Sequence, residues 1–168
     1  MKLKDKVAII TGGAMGNGLG IAKVFLKHGA KISIFDYSNK LEETVKDLRK
    51  EGYEVDGYLV DIRDKEKIKQ SIEKVIEKYS KIDILINNAG VAKLTPFEET
   101  TDEIRDFHFD INIKGTWNMS QEVLPYMQEK GAIVNLSSVT GPMVADTGEV
   151  AYATTKAAIL GFTKGLAA

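Results

Sequence analysis

The sequence contains no cysteine, which excludes disulfide bonds, thiolate metal sites and a cysteine nucleophile. Its two histidines, His28 and His108, lie far apart without a metal-ligand spacing, so we expect no metal site and interpret each as a solvated or packed helix residue. No apolar run approaches the roughly 20 residues of a membrane span. With 23 Lys and Arg against 24 Asp and Glu, the charge favours neither nucleic acid nor a membrane surface as partner.

The rest of the composition is that of an ordinary globular domain. The 168 residues are 43% hydrophobic and 28% charged, which suits one domain with a substantial core. Residues 1–6 are basic, but only four apolar residues follow before Thr11, too few for a signal peptide. We therefore expect a cytoplasmic protein.

A glycine-rich turn lies between an apolar run at 7–10 and a helical pattern at 19–28. This order would bring free backbone N–H groups and the positive end of a helix dipole to one point, which suits a pyrophosphate. The spacing differs from the common G-x-G-x-x-G pattern, and glycines in a loop can also be turn residues alone. The residues of this turn are Gly12, Gly13, Met15, Gly16, Asn17 and Gly18.

Strands and helices alternate over the rest of the chain, with no repeat or linker. This alternation is typical of an α/β protein whose parallel sheet is covered on both faces by helices. We therefore predict a Rossmann-type, doubly wound sheet of five strands in the order 3-2-1-4-5. After the first strand, the predicted strands are 31–35, 53–60, 82–86 and 132–136.

Two helices are predicted in the second half of the chain. A capping box at Thr100 and Glu103 predicts a long helix to about Glu129, ended by Gly131. A last, alanine-rich helix is predicted over residues 151–168.

Polar residues follow the predicted strands at their carboxyl ends, where ligands bind in doubly wound sheets. Asp36 falls about 20 residues beyond the glycines, where such folds place an acid on the adenosine ribose, although Asp also commonly ends a strand. Asp61, Asn88 and Ser138 follow the third, fourth and fifth strands. The amides at 87–88 could equally be a turn and nothing more.

Tyr152 and Lys156 lie one helical turn apart on one face. A nearby ammonium favours the phenolate, which can take a proton from an alcohol, and the phenol can return it to a ketone. Tyr126 and Lys130 have the same spacing, but we expect Tyr126 at the far end of its helix, away from the ligand edge. The sequence therefore predicts Tyr152 as the catalytic residue and Tyr126 as an internal control.

Five motifs occur in one order along the chain: Thr11-Gly12-x-x-x-Gly16-x-Gly18, Asn87-Asn88-Ala89-Gly90, Asn112, Ser138 and Tyr152-x-x-x-Lys156. Together they resemble the short-chain dehydrogenase/reductase family and cover the whole chain. The segments 105–115 and 137–146 look most like one group of bacterial oxidoreductases within it.

The resemblance implies roles for four catalytic side chains. Tyr152 would be the general acid/base, and Ser138 would hydrogen-bond the reacting oxygen. Lys156 would hold the nicotinamide ribose and favour the phenolate of Tyr152. Asn112 would place a water in the proton relay through a local distortion of its helix.

The resemblance also implies a dinucleotide site. Asp61 and Ile62 would meet the adenine, and Asn88, Ala89 and Gly90 would line the cofactor cleft.

The expected cofactor is NAD rather than NADP. Asp36 would accept hydrogen bonds from the ribose hydroxyls and repel a 2′-phosphate. In the sequence Tyr37 follows it, and Met15 occupies the turn position where a cation would favour that phosphate.

Family members continue past the Tyr-Lys helix with further strands and substrate-covering helices, whereas the sequence stops at Ala168. The resemblance thus predicts one NAD(P)-binding Rossmann domain over residues 1–168, lacking those strands and the substrate lid. The expected function is an NAD-dependent oxidoreductase for a secondary alcohol or ketone. The alternative is a truncated dinucleotide-binding fragment with little or no turnover. Because the fifth strand would lie at an open edge, we also expect a homo-oligomer, a dimer or tetramer.

Overall fold

The computed structural model describes residues 1–168, except for the side chain of Gln128. The strands are β1 (Val7–Thr11), β2 (Lys31–Asp36), β3 (Val55–Leu59), β4 (Ile82–Asn87) and β5 (Met127–Asn135). They pair in parallel in the order β3-β2-β1-β4-β5. The predicted sheet and its strand order are therefore confirmed.

Six α-helices connect or follow the strands. They are α1 (Gly16–Lys27), α2 (Leu41–Lys50), α3 (Lys65–Tyr79), α4 (Asp102–His108), α5 (Thr116–Val123) and α6 (Val150–Ala167). A π-helical segment, Phe109–Gly115, joins α4 to α5, and 3₁₀ turns lie at Phe97–Glu99 and Leu124–Tyr126. None of the helices in the described part of the chain is long and apolar enough to cross a membrane.

Strand β1 is buried on both faces because helices cover both sides of the sheet at its centre. Along β1, Val7 and Ile9 belong to a core cluster with residues of α3 and α5. Ala8 and Ile10, which point to the opposite face, belong to a second cluster with residues of α1 and α2. This double cover leaves the carboxyl ends of the strands as the edge where a ligand can approach.

The helix predicted to run to Glu129 is interrupted and shorter. The N-cap of α4 is Thr101 rather than Thr100, because the Thr101 hydroxyl accepts a hydrogen bond from the backbone N–H of Ile104. Helix α5 ends at Val123, and Pro125, which has no backbone N–H to continue the helix, lies in the 3₁₀ turn that follows.

Strand β5 begins five residues before the predicted start at Ala132. Met127 pairs with Ile82, and after a bulge Ala132 pairs with Ile84. Gly131 therefore lies within the strand and does not end a helix, contrary to the prediction.

The predicted position of Tyr126 at a helix end is also wrong in detail. Tyr126 closes the 3₁₀ turn and Lys130 lies in β5, so the two side chains do not share a helical face. Tyr126 instead packs against the core cluster that contains Val7 and Ile9.

Candidate active site

A cavity of about 680 Å³ lies at the carboxyl ends of the strands. Most of the residues that the sequence predicted to bind a cofactor line this cavity. The predicted residues that line it are Gly12, Met15, Asn17, Asp36, Asp61, Ile62, Asn88, Ala89 and Gly90. The residues that follow β1 to β4 at their carboxyl ends therefore converge on one cavity.

The glycine turn packs tightly enough to exclude side chains. Gly12 has φ +65°, and a Cβ there would lie 2.9 Å from the Cα of Ala89. A Cβ on Gly18 would overlap the carbonyl oxygen of Gly12, and one on Gly13 would press on Ile34. Gly13 thus packs directly on Ile34, whereas Gly16, the first residue of α1, has φ +56°.

The N-terminus of α1 fits a pyrophosphate. Met15, the N-cap residue, is extended and makes no side-chain capping hydrogen bond, and the described first turn of α1 has no acidic residue. The backbone N–H groups of this turn are therefore available to an anion, and the helix dipole favours negative charge there.

Asp36 ends β2 and is buried, with only 7% of its surface exposed. One carboxylate oxygen accepts a hydrogen bond of 2.9 Å from the backbone N–H of Ala14, and the other accepts one of 2.9 Å from Ser38. The carboxylate therefore lies at the end of its strand, lines the cavity and also holds the glycine turn in place through Ala14.

Asp61, which follows β3, forms a pair with Arg63 that sequence reasoning missed. The Arg63 guanidinium donates to both oxygens of Asp61, and these hydrogen bonds hold the pKa of Asp61 below its ordinary value. Arg63 also lines the cavity. Its position two residues after a strand-end acid was the available signal.

The loop after β4 is bound to the glycine turn. The Asn88 side chain donates to the carbonyl oxygens of Thr11 and Gly12, at 2.9 and 3.0 Å. The backbone N–H groups of Asn88 and Ala89 both donate to the Thr11 hydroxyl. These bonds fix the two sides of the cavity relative to each other.

Asn112 lies in the π-helical segment, so the helix distortion predicted around it is present. Its buried amide donates to the carbonyl oxygen of Val91 and to the hydroxyl of Thr155, and its oxygen accepts from the Val91 N–H. Asn112 therefore joins the loop after β4 to α6. Thr155, which is fully buried, was not identified from the sequence.

Tyr152 and Lys156 both lie near the start of α6. The Lys156 ammonium is 5.7 Å from the centroid of the Tyr152 ring and donates a 2.8 Å hydrogen bond to the carbonyl oxygen of Leu136. Lys156 is 6% exposed, and this burial lowers its pKa. Lys156 lies close to the cavity residue Gly90, because a Cβ on Gly90 would lie 3.4 Å from the Lys156 nitrogen.

Ser138 lies just beyond β5, in the loop that leads to α6. Its hydroxyl accepts a hydrogen bond from the backbone N–H of Thr140. The neighbouring Ser137 donates to the backbone carbonyl of Lys156, which ties the end of β5 to α6. The predicted catalytic residues are therefore carried by the π-helical segment, the loop after β5 and the first turns of α6.

The chain is similar to known proteins in both sequence and structure. The profile of the family described as short chain dehydrogenase matches residues 6–168. The Escherichia coli (strain K12) oxidoreductase UcpA is 49% identical over 168 residues, which cover 99% of this chain and 64% of that protein. The chain thus spans less than two thirds of the length of this relative.

Two further relatives extend the comparison. The 3-oxoacyl-[acyl-carrier-protein] reductase FabG of Thermotoga maritima is 38% identical, over 98% of this chain and 68% of that protein. A short chain dehydrogenase from Burkholderia cenocepacia, crystallised in complex with NADP, is 30% identical with a TM-score of 0.92, over 99% of this chain and 69% of that one. The chain therefore belongs to the short chain dehydrogenase family, as its motifs predicted.

Proposed function

We propose that the chain carries the cofactor site and the acid/base group of an oxidoreductase that interconverts a secondary alcohol and a ketone with NAD. The proposal rests above all on the position of Tyr152 beside the Lys156 ammonium, which is buried and lies close to the cavity residue Gly90. The activity of the whole protein is part of this proposal, since the chain spans 64% of the relative UcpA.

Different groups of cavity residues would bind different parts of the dinucleotide. The first turn of α1 would hold the pyrophosphate, and Asp36 would accept hydrogen bonds from the adenosine ribose. Asp61 and Ile62 would meet the adenine, while Asn88, Ala89 and Gly90 would line the nicotinamide side. When bound, the nicotinamide ring supplies or accepts the hydride.

The residues around α6 handle the proton. Tyr152 donates its phenolic proton to a ketone oxygen or, as phenolate, takes the proton of an alcohol. Ser138 donates a hydrogen bond to the same oxygen. Lys156 uses one of its three N–H donors on Leu136, which leaves two for the hydroxyls of the nicotinamide ribose. Asn112 places the water that returns the proton to solvent.

We propose NAD as the preferred cofactor, although the Burkholderia relative was crystallised with NADP. The negative charge of Asp36 lies at the end of β2, where the adenosine ribose binds, and repels a 2′-phosphate. Arg63 lines the same cavity, but its guanidinium is already bonded to both oxygens of Asp61.

A second candidate function is dinucleotide binding with little or no turnover. It is favoured by the open sheet edge at β5 and by a match that spans 64% of UcpA. A titration with NADH beside a turnover assay on a panel of small ketones and alcohols separates the two. Binding with turnover supports the enzyme, and binding alone supports the module.

The test of the acid/base role compares Tyr152→Phe with Tyr126→Phe. We expect Tyr152→Phe to lower carbonyl reduction by about 100-fold or more, the usual effect of losing a general acid, with the NADH dissociation constant within about twofold. Tyr126→Phe, in the 3₁₀ turn before β5, should change neither quantity. Loss of activity in the Tyr126 variant, with the Tyr152 variant still active, would show that the role is assigned to the wrong tyrosine.

A further inference from the structure

The loop after β4 is held in place by alternate backbone N–H groups at residues 91, 93 and 95. The N–H of Val91 donates to the Asn112 side chain at 2.8 Å. The N–H of Lys93 donates to Nε2 of His108 at 2.9 Å, and that of Thr95 donates to the carbonyl oxygen of Gly148 at 2.9 Å. Side chains and a neighbouring loop thus take the place of an adjacent strand.

The partners of His108 define the roles of its two ring nitrogens. Its ring is fully buried, and Nδ1 lies 2.7 Å from the carbonyl oxygen of Ile104. Because a carbonyl oxygen can only accept and the Lys93 N–H can only donate, Nδ1 is the donor and Nε2 is the acceptor. Both ring nitrogens are used, which fixes the orientation of the imidazole.

His108 acts on the same loop as Asn112, one helical turn further along the chain. Val91, held by Asn112, follows Gly90 directly, and a Cβ on Gly90 would lie 3.2 Å from the Asn112 oxygen and 3.4 Å from the Lys156 nitrogen. A shift of the loop at Lys93 would therefore displace Val91 and Gly90, which lie two and three residues earlier, and so change the cavity wall next to Lys156. An apolar side chain of similar size would fill the same space but leave the Lys93 N–H without this acceptor.

We propose that His108 is a positioning residue for the nicotinamide half of the cofactor site. It acts through its hydrogen bond to Lys93 and does not itself touch the cofactor. This inference rests on the proposed function, because it assigns a role within the dinucleotide site. It concerns the end of the site near Gly90 and leaves the adenosine end, near Asp36, unaffected.

The experiment compares His108→Leu and His108→Gln with the control His28→Leu, which changes the other histidine of the chain at the end of α1. Dissociation constants are measured for NADH and for ADP-ribose, which lacks the nicotinamide. Amide hydrogen exchange of Lys93 is measured in the same variants. Gln places its oxygen at the position of Nε2 and so keeps an acceptor for Lys93.

We expect His108→Leu to weaken NADH binding about three- to tenfold, the effect of about one lost hydrogen bond, while ADP-ribose binding stays within about twofold. Lys93 exchange should become about tenfold faster or more. His108→Gln should restore slow exchange and NADH affinity to within about twofold of the original protein. His28→Leu should change none of these values.

The outcomes separate the inference from the proposed function. If the unaltered chain does not bind NADH, the proposed function and the role of His108 both fail. If NADH binds but His108→Leu weakens NADH and ADP-ribose equally, or leaves Lys93 exchange unchanged, the positioning role alone is wrong. If His108→Leu does not fold, a folded His108→Gln decides: faster Lys93 exchange with unchanged NADH affinity, or weaker NADH binding with Lys93 still protected, overturns the inference.

Discussion

Both oxygens of Asp36 accept backbone hydrogen bonds, one from the glycine turn at Ala14 and one from Ser38 beyond the strand. The same carboxylate faces the cavity in which we place the adenosine ribose. At the scale of the residue, turn-forming and ligand-binding interpretations of this acid are therefore compatible. A carboxylate has more acceptor sites than these two bonds use, so it can still accept from ribose hydroxyls.

We expect the unaltered chain to bind NADH about tenfold or more tightly than NADPH, because the 2′-phosphate would lie close to the negative charge of Asp36. Asp36→Asn keeps the size of the side chain but removes the charge and one of the two backbone acceptors, and should narrow this ratio to about threefold or less. Asp47→Asn, an exposed change on α2, is the control and should leave the ratio unchanged. Equal dissociation constants for the two cofactors in the unaltered chain would refute the proposed preference.

At the scale of the element, one acidic residue, Asp56, links the edge strand β3 to the two helices beside it. Asp56 accepts hydrogen bonds from Arg49 of α2 and from Lys78 and Tyr79 of α3. Burial alone would raise the pKa of Asp56, but the bonds from Lys78 and Tyr79, with the nearby positive charge, outweigh it and hold the pKa below its ordinary value. Partial burial of the Tyr79 phenol, together with the hydrogen bond it donates to this carboxylate, raises the pKa of Tyr79.

We expect Asp56→Asn to lower the free energy of unfolding by about 1–3 kcal/mol at pH 7, because three donors lose a charged acceptor. Since folding lowers the pKa of Asp56, its contribution is complete above the unfolded value of about 3.9 and is lost as pH falls through the folded value. The difference between the two proteins in urea unfolding should therefore shrink as the pH falls from about 5 toward 3.

The control for this measurement is Asp47→Asn, which removes an exposed carboxylate paired only with Lys50 in the described ion pairs. It should change the free energy of unfolding by less than about 0.5 kcal/mol at any of these pH values. An Asp56 difference that stays constant down to pH 3 would contradict the electrostatic explanation.

At the scale of the whole molecule, the sheet ends in β5, which pairs with β4 on one side only. Val134 of this strand is 46% exposed, and Leu160 of α6 is 41% exposed. An open strand edge beside exposed apolar side chains favours pairing with another chain. The homo-oligomer expected from the sequence remains a prediction, and the surface we expect it to use is the free edge of β5 with Val134 and Leu160.

We expect the 168-residue chain to self-associate at low micromolar concentration in sedimentation experiments. Val134→Lys should shift it toward the monomer, because a lysine in an edge strand discourages edge-to-edge pairing. Leu59→Lys places the same charge on β3, the opposite edge, and should leave the association unchanged. A monodisperse monomer with full turnover would contradict the prediction.

Much of the fold could be predicted because its signals are local. Each strand is a short apolar run followed by a turn, and right-handed crossovers leave few strand orders for such a pattern. The positions of Gly12, Asp36, Asp61 and Asn88 after successive strands then predict a common edge, which is where the structure places them. The spacing of Tyr152 and Lys156 is likewise decided within one helix.

Only the tertiary structure decided features that depend on partners distant in sequence. Residues 127–131 look helical in composition, but pairing of Met127 with Ile82 and the proline at 125 make them part of β5. The bond between His108 and Lys93 and the one between Asn112 and Thr155 join segments whose approach no local pattern encodes. Local propensity determines which elements form, whereas contacts across the sheet and between loops decide where they end and which side chains meet.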